Sequence, residues 1–367
     1  MTAEHRPTLG ELVTESRIII TSGSGGVGKT TTAAVIAMEA AALGRRAVVV
    51  TIDPAKRLAD ALGLGGDGIG NEAKRIQGPW PGELWAVMLD TKRTFDDLVT
   101  RYSTDDEQSA RILDNRFYKN ISGALSGTQE YMAAEKLYEL HHDAGFDLVV
   151  VDTPPSRNAL DFLDAPRRLT RFLDHRLYRV LMAPTRGVMK AVNVAAQAFV
   201  RQVSKVVGAE VFEDAITFFQ AFDGMEAGFK DRASEVLDLL GSHETSYVLV
   251  ASPRRDTVAE ARFFAEKLSE ADIAISALIV NRMHPHFTDE MPEALRERAI
   301  TFGDSDLGGL YRNLADFALI AHREEDHLSG LKEMVEPSPV VRVPFLSTDV
   351  HDLDGLAIVG DHLFERT

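Results

Sequence analysis

Eight residues near the start of the chain, Gly23-Ser24-Gly25-Gly26-Val27-Gly28-Lys29-Thr30, follow the pattern G-x-x-x-x-G-K-[ST], which occurs once in the sequence. Glycines at this spacing let successive backbone N–H groups turn inward onto phosphate oxygens at a helix N-terminus. Lys29 adds a point charge for the β and γ phosphates, and the Thr30 hydroxyl is placed to ligate Mg²⁺. On this reading Gly25, Gly26, Val27, Gly28, Lys29, Thr30 and Thr31 form the cradle of an ATP-type nucleotide. The competing reading, a plain glycine-rich turn, leaves the lysine and the threonine idle.

Two aspartates would complete such a site. Asp53 opens "DPAKRLADAL" directly after a β-branched run, where a carboxylate could orient water for attack on the γ phosphorus. Asp152 ends "LVVVD" and could hold a Mg²⁺-bound water. Each could instead be the N-cap of a helix that follows a strand.

These residues need strands to carry them, and the sequence supplies strands. The stretch from Ser16 to Leu64 alternates β-branched runs with an Ala-rich helical segment, the pattern of a parallel β-α-β unit. It predicts strands at about Arg17 to Thr21 and Ala47 to Ile52, with further buried strands at 84–90, 146–153, 246–252, 273–282 and 339–345. The expected fold class is α/β, a doubly wound and mostly parallel sheet of P-loop NTPase type over residues 1–367. Two intervals break the alternation, about 92–127 and 156–241, and are expected to form one inserted helical subdomain. A third polar interval, from Met283 to Pro339, reads as helical and peripheral.

Composition narrows the function. The charged fraction of 26% and hydrophobic fraction of 45% are those of a soluble globular protein, and no apolar run reaches a membrane span. The first residues, "MTAEHRPTLGELVTES", carry acids and no apolar core, so the expected location is the cytoplasm. With no cysteine there is no thiolate zinc site, no cysteine-held iron–sulfur cluster and no thiolate-bound metalloid. The histidines of "MHPHF" and "HREEDH" read as exposed polar residues, so no metal beyond Mg²⁺ is expected. A net charge of −16 argues against nucleic acid as a partner. The local exception is 166–190, "PRRLTRFLDHRLYRVLMAPTRGVMK", with seven basic residues against the single acid Asp174. Its leucines fall at helical spacing on one face. Either that face packs in the helical subdomain while the arginines are solvated, or the helix docks on an anionic membrane surface or a membrane-protein client.

Taken together, "GSGGVGKTTTAA", "TIDPAKRLADALG", "GTQEYMAAEKLYEL", "VVVDTPPSRNALDFLDAP" and "IVNR" resemble the ArsA-type anion-transporting ATPases, a family within the MinD-like deviant phosphate-loop class. The resemblance runs from the first strand to the last and looks strongest to the actinobacterial branch. It implies that Asp53 lies in a first switch and positions the attacking water. It also implies that "DTPPSRNALDFL" is the second switch, with Asn158 where the branch that targets tail-anchored proteins carries histidine. Asn281 matches the family's adenine-recognising asparagine, and Pro344 and Phe345 fall where its adenine-contacting loop lies.

The family's functional form, as the resemblance implies it, is a dimer that sandwiches nucleotide, with a lysine at the position of Ser24 reaching the partner's ATP. Serine carries no charge and almost no reach. Either a local cation such as Lys56, Arg57 or Arg157 substitutes, or the chain pairs with a lysine-bearing paralogue in a heterodimer, a homodimer being the alternative. The expected function is a Mg²⁺-dependent ATPase acting as a nucleotide-switched targeting or transport-coupling subunit. Rival readings are a low-turnover nucleotide-bound regulatory subunit and a ParA/MinD-like positioning ATPase.

Overall fold

The computed structural model describes residues 7–52, 57–63, 69–121, 128–154, 156–175 and 209–366. The chain divides into two compact units, one of residues 1–88, 140–160 and 243–367, the other of residues 89–139 and 161–242.

The first unit carries a sheet of eight strands: β1 (Ile18–Ser22), β2 (Arg46–Thr51), β3 (Lys74–Ile76), β4 (Glu83–Met88), β5 (Leu148–Asp152), β6 (Thr245–Ala251), β7 (Ile275–Met283) and β8 (Val340–Pro344). Their order is β3-β4-β2-β5-β1-β6-β7-β8, and every neighbouring pair is parallel except β3–β4. Strands β1, β5 and β6 are buried along their whole length, as β-branched runs covered on both faces must be. The helix Lys29–Ala42 is alanine-rich and buries Ala33, Ala34, Val35, Ile36, Ala37, Ala40 and Ala41 in the same core. Small side chains let it lie close on the strands. From β1 the chain first builds toward β2 and β4, and later crosses to β6, β7 and β8 on the other side. The loop after β1 therefore stands where the strand order reverses, the usual ligand position in an open α/β sheet.

Two details depart from the sequence reading. The antiparallel edge strand β3, "KRI", has only Ile76 buried and gives no hydrophobic pattern to read. The ladder of β5 starts at Leu148 rather than 146, because Asp147 accepts the Arg46 N–H at 2.8 Å and Phe146 turns its ring under the Arg46 guanidinium at 4.5 Å. The interval after β7 forms the helices Pro292–Phe302 and Asp306–Val335, which share a small core of Leu295, Ala315 and Ala318.

The second unit is helical, with Thr91–Tyr102, Asp106–Leu113, Arg116–Ile121, Thr128–Tyr138, Ala209–Ala221 and Glu226–Leu240 joined by the later part of Ser156–Asp174. Asp90 and Asp105 cap their helices by accepting the N–H of Arg93 and Gln108. Its core is aromatic, including Tyr118, Tyr131, Phe218 and Phe229. A buried ion pair joins Arg232 to Glu135 at 3.2 Å, and Arg232 also donates to the Tyr102 hydroxyl at 3.1 Å and covers the Tyr138 ring at 3.8 Å. Of the basic segment 166–190, residues through His175 are described. There Leu173 is buried and Leu169 packs on the aromatic core, while Arg167, Arg168 and Arg171 are exposed. Arg176, Arg179, Arg186 and Lys190 lie outside the described residues. No helix among the described residues is long and apolar enough to cross a membrane.

Candidate functional site: a phosphate-binding loop

The loop Gly23–Gly28 owes its shape to what touches it. Gly23 has φ 156, and a Cβ there would stand 2.0 Å from the Val250 carbonyl oxygen, so the backbone of β6 requires glycine. Gly28 has φ 100 and a Cβ there would meet the Asn281 amide nitrogen at 2.3 Å. Val27 is buried in the sheet core and anchors the turn, which leaves Gly25 and Gly26 exposed at its tip. Gly28 is the N-cap of the helix Lys29–Ala42 and supplies no side-chain cap. The first-turn N–H groups, including those of Thr30 and Thr31, are thus available to an anion.

Lys29 is nearly buried, and its Nζ donates to the Ser24 carbonyl at 2.8 Å. Ser24 itself is 4% exposed, and its hydroxyl has no hydrogen-bond partner among the described residues. The side chain at this position is turned into the protein.

Asp152 is the second centre. Strand β5 lies between β1 and β2, and the register sets Thr21 and Thr51 opposite Asp152. Its Oδ2 accepts from Thr30 Oγ1 at 2.8 Å and Thr51 Oγ1 at 2.9 Å, in full burial. A wholly buried carboxylate bonded to the loop's own threonine is a donor set suited to a hard cation through oxygen and water. Next to it, Thr153 Oγ1 donates to the Thr21 carbonyl at 2.7 Å. The Ile52 N–H donates to the Asp152 backbone carbonyl at 3.2 Å. Asp53 and Lys56, with the side chains of Arg57, Arg157 and Asn158, lie outside the described residues.

A pocket of about 320 Å³ opens over the loop, with Gly26, Gly28, Lys29, Thr30 and Thr31 on one wall and Thr153 and Arg282 among the others. Asn281, Pro344 and Phe345 do not line it among the described residues. Asn281 braces the loop: its Nδ2 donates to the Val27 carbonyl at 2.8 Å and its Oδ1 accepts the Arg282 N–H at 2.9 Å. Pro344 ends β8, and the following Phe345 is 60% exposed, with its ring near-parallel to that of His284 at 6.2 Å. His284 in turn bonds Glu324 at 2.7 Å. Among the described residues no three or more His, Asp or Glu side chains gather as a metal site.

Sequence reasoning missed Thr51, Thr153 and Arg282. Thr51 becomes visible only once the β2–β5 register is known. Arg282 sits within "IVNR", next to an asparagine the motif did single out, but in left-handed backbone, φ 64, that arginine seldom adopts. The conformation costs about 1–2 kcal/mol for a residue with a Cβ.

Comparison with known proteins accords with this geometry. The model of the anion-transporting ATPase family matches residues 16–301. An ATPase get3 of Schizosaccharomyces japonicus is 22% identical over 359 residues, covering 97% of this chain and 95% of that protein. Proteins of the same name from Aspergillus terreus and Schizosaccharomyces pombe are 22% and 21% identical, each covering 97% of this chain and 94% of their own length. With a strand-borne phosphate loop inside the matched span and similarity along nearly the whole length, the chain belongs to the anion-transporting ATPase family of ATP-hydrolysing enzymes.

Proposed function

We propose that this protein is a cytoplasmic Mg²⁺-dependent ATPase whose nucleotide state switches the arrangement of paired subunits, as a targeting or transport-coupling component. The observation that carries the reading is that Lys29 and Thr30 line one pocket, with Thr30 Oγ1 2.8 Å from the Asp152 carboxylate buried behind it. The residues fit a magnesium nucleotide, because the glycines hold a cradle that a Cβ would fill and the oxygen donors are hard. Bound Mg²⁺ supplies charge neutralisation on the transferring phosphoryl group.

In this reading the N–H groups from Gly25 to Thr31 hold phosphate oxygens. Lys29 leaves the Ser24 carbonyl for the β and γ phosphates, a short exchange of one acceptor for a better one. Thr30 ligates the cation directly and Asp152 does so through water. Asp53, two residues past the end of β2 at Thr51 in the sequence, orients the attacking water. Asn281, Pro344 and Phe345, at the ends of the adjacent strands β7 and β8, serve the adenine end. Lys29→Ala should abolish tight ATP binding, whereas Asp53→Asn should keep binding and lower kcat at least ~10²-fold. Equal loss of ATP binding in both variants contradicts this division of roles.

The buried, uncharged Ser24 favours a paired site. A cation acting across a subunit boundary on phosphoryl transfer is worth roughly 10³ to 10⁵ in rate, and Ser24 supplies none. We therefore infer a heterodimer with a lysine-bearing paralogue, in which the partner's lysine completes the site on this chain. The same observation supports a second reading, a nucleotide-bound subunit with little turnover of its own. The exposed Arg168 and Arg171, with Arg179 further along the basic segment, serve as the surface for an anionic membrane or membrane-protein client. Replacing all three with glutamate should remove association with anionic vesicles and leave basal ATPase unchanged, read by vesicle pelleting beside turnover. Retained pelleting contradicts the docking role.

A further inference from the structure

We propose that Arg282 is a nucleotide ligand, its guanidinium pairing with a phosphate oxygen common to ATP and ADP at the end of the pocket away from the γ phosphate. The proposal rests on reading the pocket as a nucleotide site.

Four observations meet at this residue. In the β7–β8 ladder Asn281 faces Val343 and Met283 faces Pro344, so Arg282 is the extra residue of a bulge in a parallel pair. Bulges re-aim side chains and collect beside active sites. Second, Arg282 is left-handed inside a strand. The other non-glycine residues with positive φ among those described, Asp272 and Glu365, each follow a helix C-terminus, where that conformation is routine. Strain at a pocket wall is the kind of outlier from which function is inferred. Third, Asn281 holds the Val27 carbonyl with its amide nitrogen and the Arg282 N–H with its amide oxygen. One side chain thus ties the bulge to the phosphate loop. Fourth, the chain has 56 acids against 40 lysines and arginines, and Asp60 lines the same pocket, yet Arg282, exposed on the pocket wall, forms no ion pair with a carboxylate among the described residues. An unpaired guanidinium in so acidic a protein, facing a pocket built for phosphate, takes its counter-charge from the ligand.

The neighbours of Arg282 assign the phosphate. Asn281 abuts Gly28, and Gly28 and Thr31 line the pocket with Arg282. These backbone N–H groups at the start of the helix serve the α and β phosphates, while Lys29 serves the β and γ. Arg282 therefore holds nucleotide in both its triphosphate and diphosphate forms and does not replace the charge missing at Ser24.

The test is equilibrium binding of ATP and of ADP, with thermal unfolding, for the wild-type protein, Lys29→Ala, Arg282→Gly and Arg282→Lys. Glycine relaxes the left-handed backbone, so Arg282→Gly should unfold at the same temperature as wild type or higher. It should nonetheless bind both nucleotides at least ~10-fold more weakly and by the same factor, the scale of a charge-assisted hydrogen bond. Arg282→Lys should recover part of that loss, since lysine keeps the charge but not the bidentate geometry. Unchanged affinity in Arg282→Gly, a loss confined to ATP, or a loss matched by a lower unfolding temperature each overturns the proposal. If wild type binds and Lys29→Ala does not, the nucleotide site stands whatever Arg282 does; if wild type binds neither nucleotide, the site reading itself has failed.

Discussion

The two units of this chain are stabilised in different ways. In the sheet unit, Ile, Val and Ala fill the core, and backbone ladders set the partners of each strand end, so Thr21 and Thr51 stand opposite Asp152 without any choice of side-chain packing. Among the described residues of the helical unit no ladder exists. Order comes from rings, such as Phe95 on Tyr118 at 5.2 Å, Tyr118 on Phe218 at 5.9 Å and Tyr102 against Phe229 at 5.1 Å, and from the buried Arg232–Glu135 pair. The contrast teaches a division of labour. Phosphate chemistry needs donors fixed to a fraction of an ångström, which a ladder provides. The helical unit is held instead by ring contacts of specific geometry, which no strand register dictates.

The largest expected effect probes the helical unit. Glu135→Ala takes the nearest carboxylate from the buried Arg232 guanidinium, leaving it Glu235 at 3.7 Å and the Tyr102 hydroxyl, and should destabilise that unit by about 3 kcal/mol while ATP affinity, carried by the sheet unit, holds. Denaturant unfolding beside nucleotide titration reads both quantities, and parallel loss of the two would break the comparison. A smaller effect is expected in the loop. Gly28→Ala forces a Cβ toward the Asn281 amide at a backbone angle that alanine resists, and should weaken ATP binding on the order of 10-fold, about 1.4 kcal/mol. Calorimetric titration checks it; unchanged affinity would mean that the ladder does not hold the loop rigidly.

The smallest effect is pH-dependent and sharpens the account of the sheet edge. Burial opposes the charge on Glu325, but hydrogen bonds from Arg342 of β8 and from Lys332 overcome it and hold the carboxyl at about 2, below its ordinary 4.5. A depressed folded value means that its stabilisation is complete above about pH 4.5 and is lost as the pH falls toward 2. Glu325→Gln should therefore lower the urea midpoint at pH 7, and the gap from wild type should narrow below pH 4.5. A gap independent of pH would remove the ion pair from the explanation.

How much of this was legible beforehand follows the same contrast. The phosphate loop was readable because its glycines answer to close contacts, Gly23 to the Val250 carbonyl and Gly28 to the Asn281 side-chain amide, and a site with no room for a Cβ leaves a residue-type signature. The parallel sheet was readable because strands buried on both faces must be continuous β-branched runs. Strand ends were less so: Phe146 is apolar and buried, yet Asp147 intervenes and the strand starts at Leu148. The three-residue edge strand Lys74–Ile76 leaves no periodicity at all. Thr51 could not be singled out because nothing in "VVVT" reveals which residue will face Asp152, and Arg282 could not because its residue type argues against the backbone it adopts. In the helical unit the sequence shows apolar spacing, but the pairing of Arg232 with a glutamate nearly a hundred positions earlier is set by packing alone.

The central claim, that this chain carries a working hydrolytic site lacking one cation, is tested most directly by steady-state ATP turnover of the purified chain, alone and with a lysine-bearing paralogue of the family. The account predicts slow turnover alone, stimulation by the paralogue on the order of 10³-fold, and loss of the stimulated rate in Asp53→Asn of this chain. Full-speed turnover by the chain alone, unchanged by Ser24→Lys and lost on removing a local arginine such as Arg157, would contradict it.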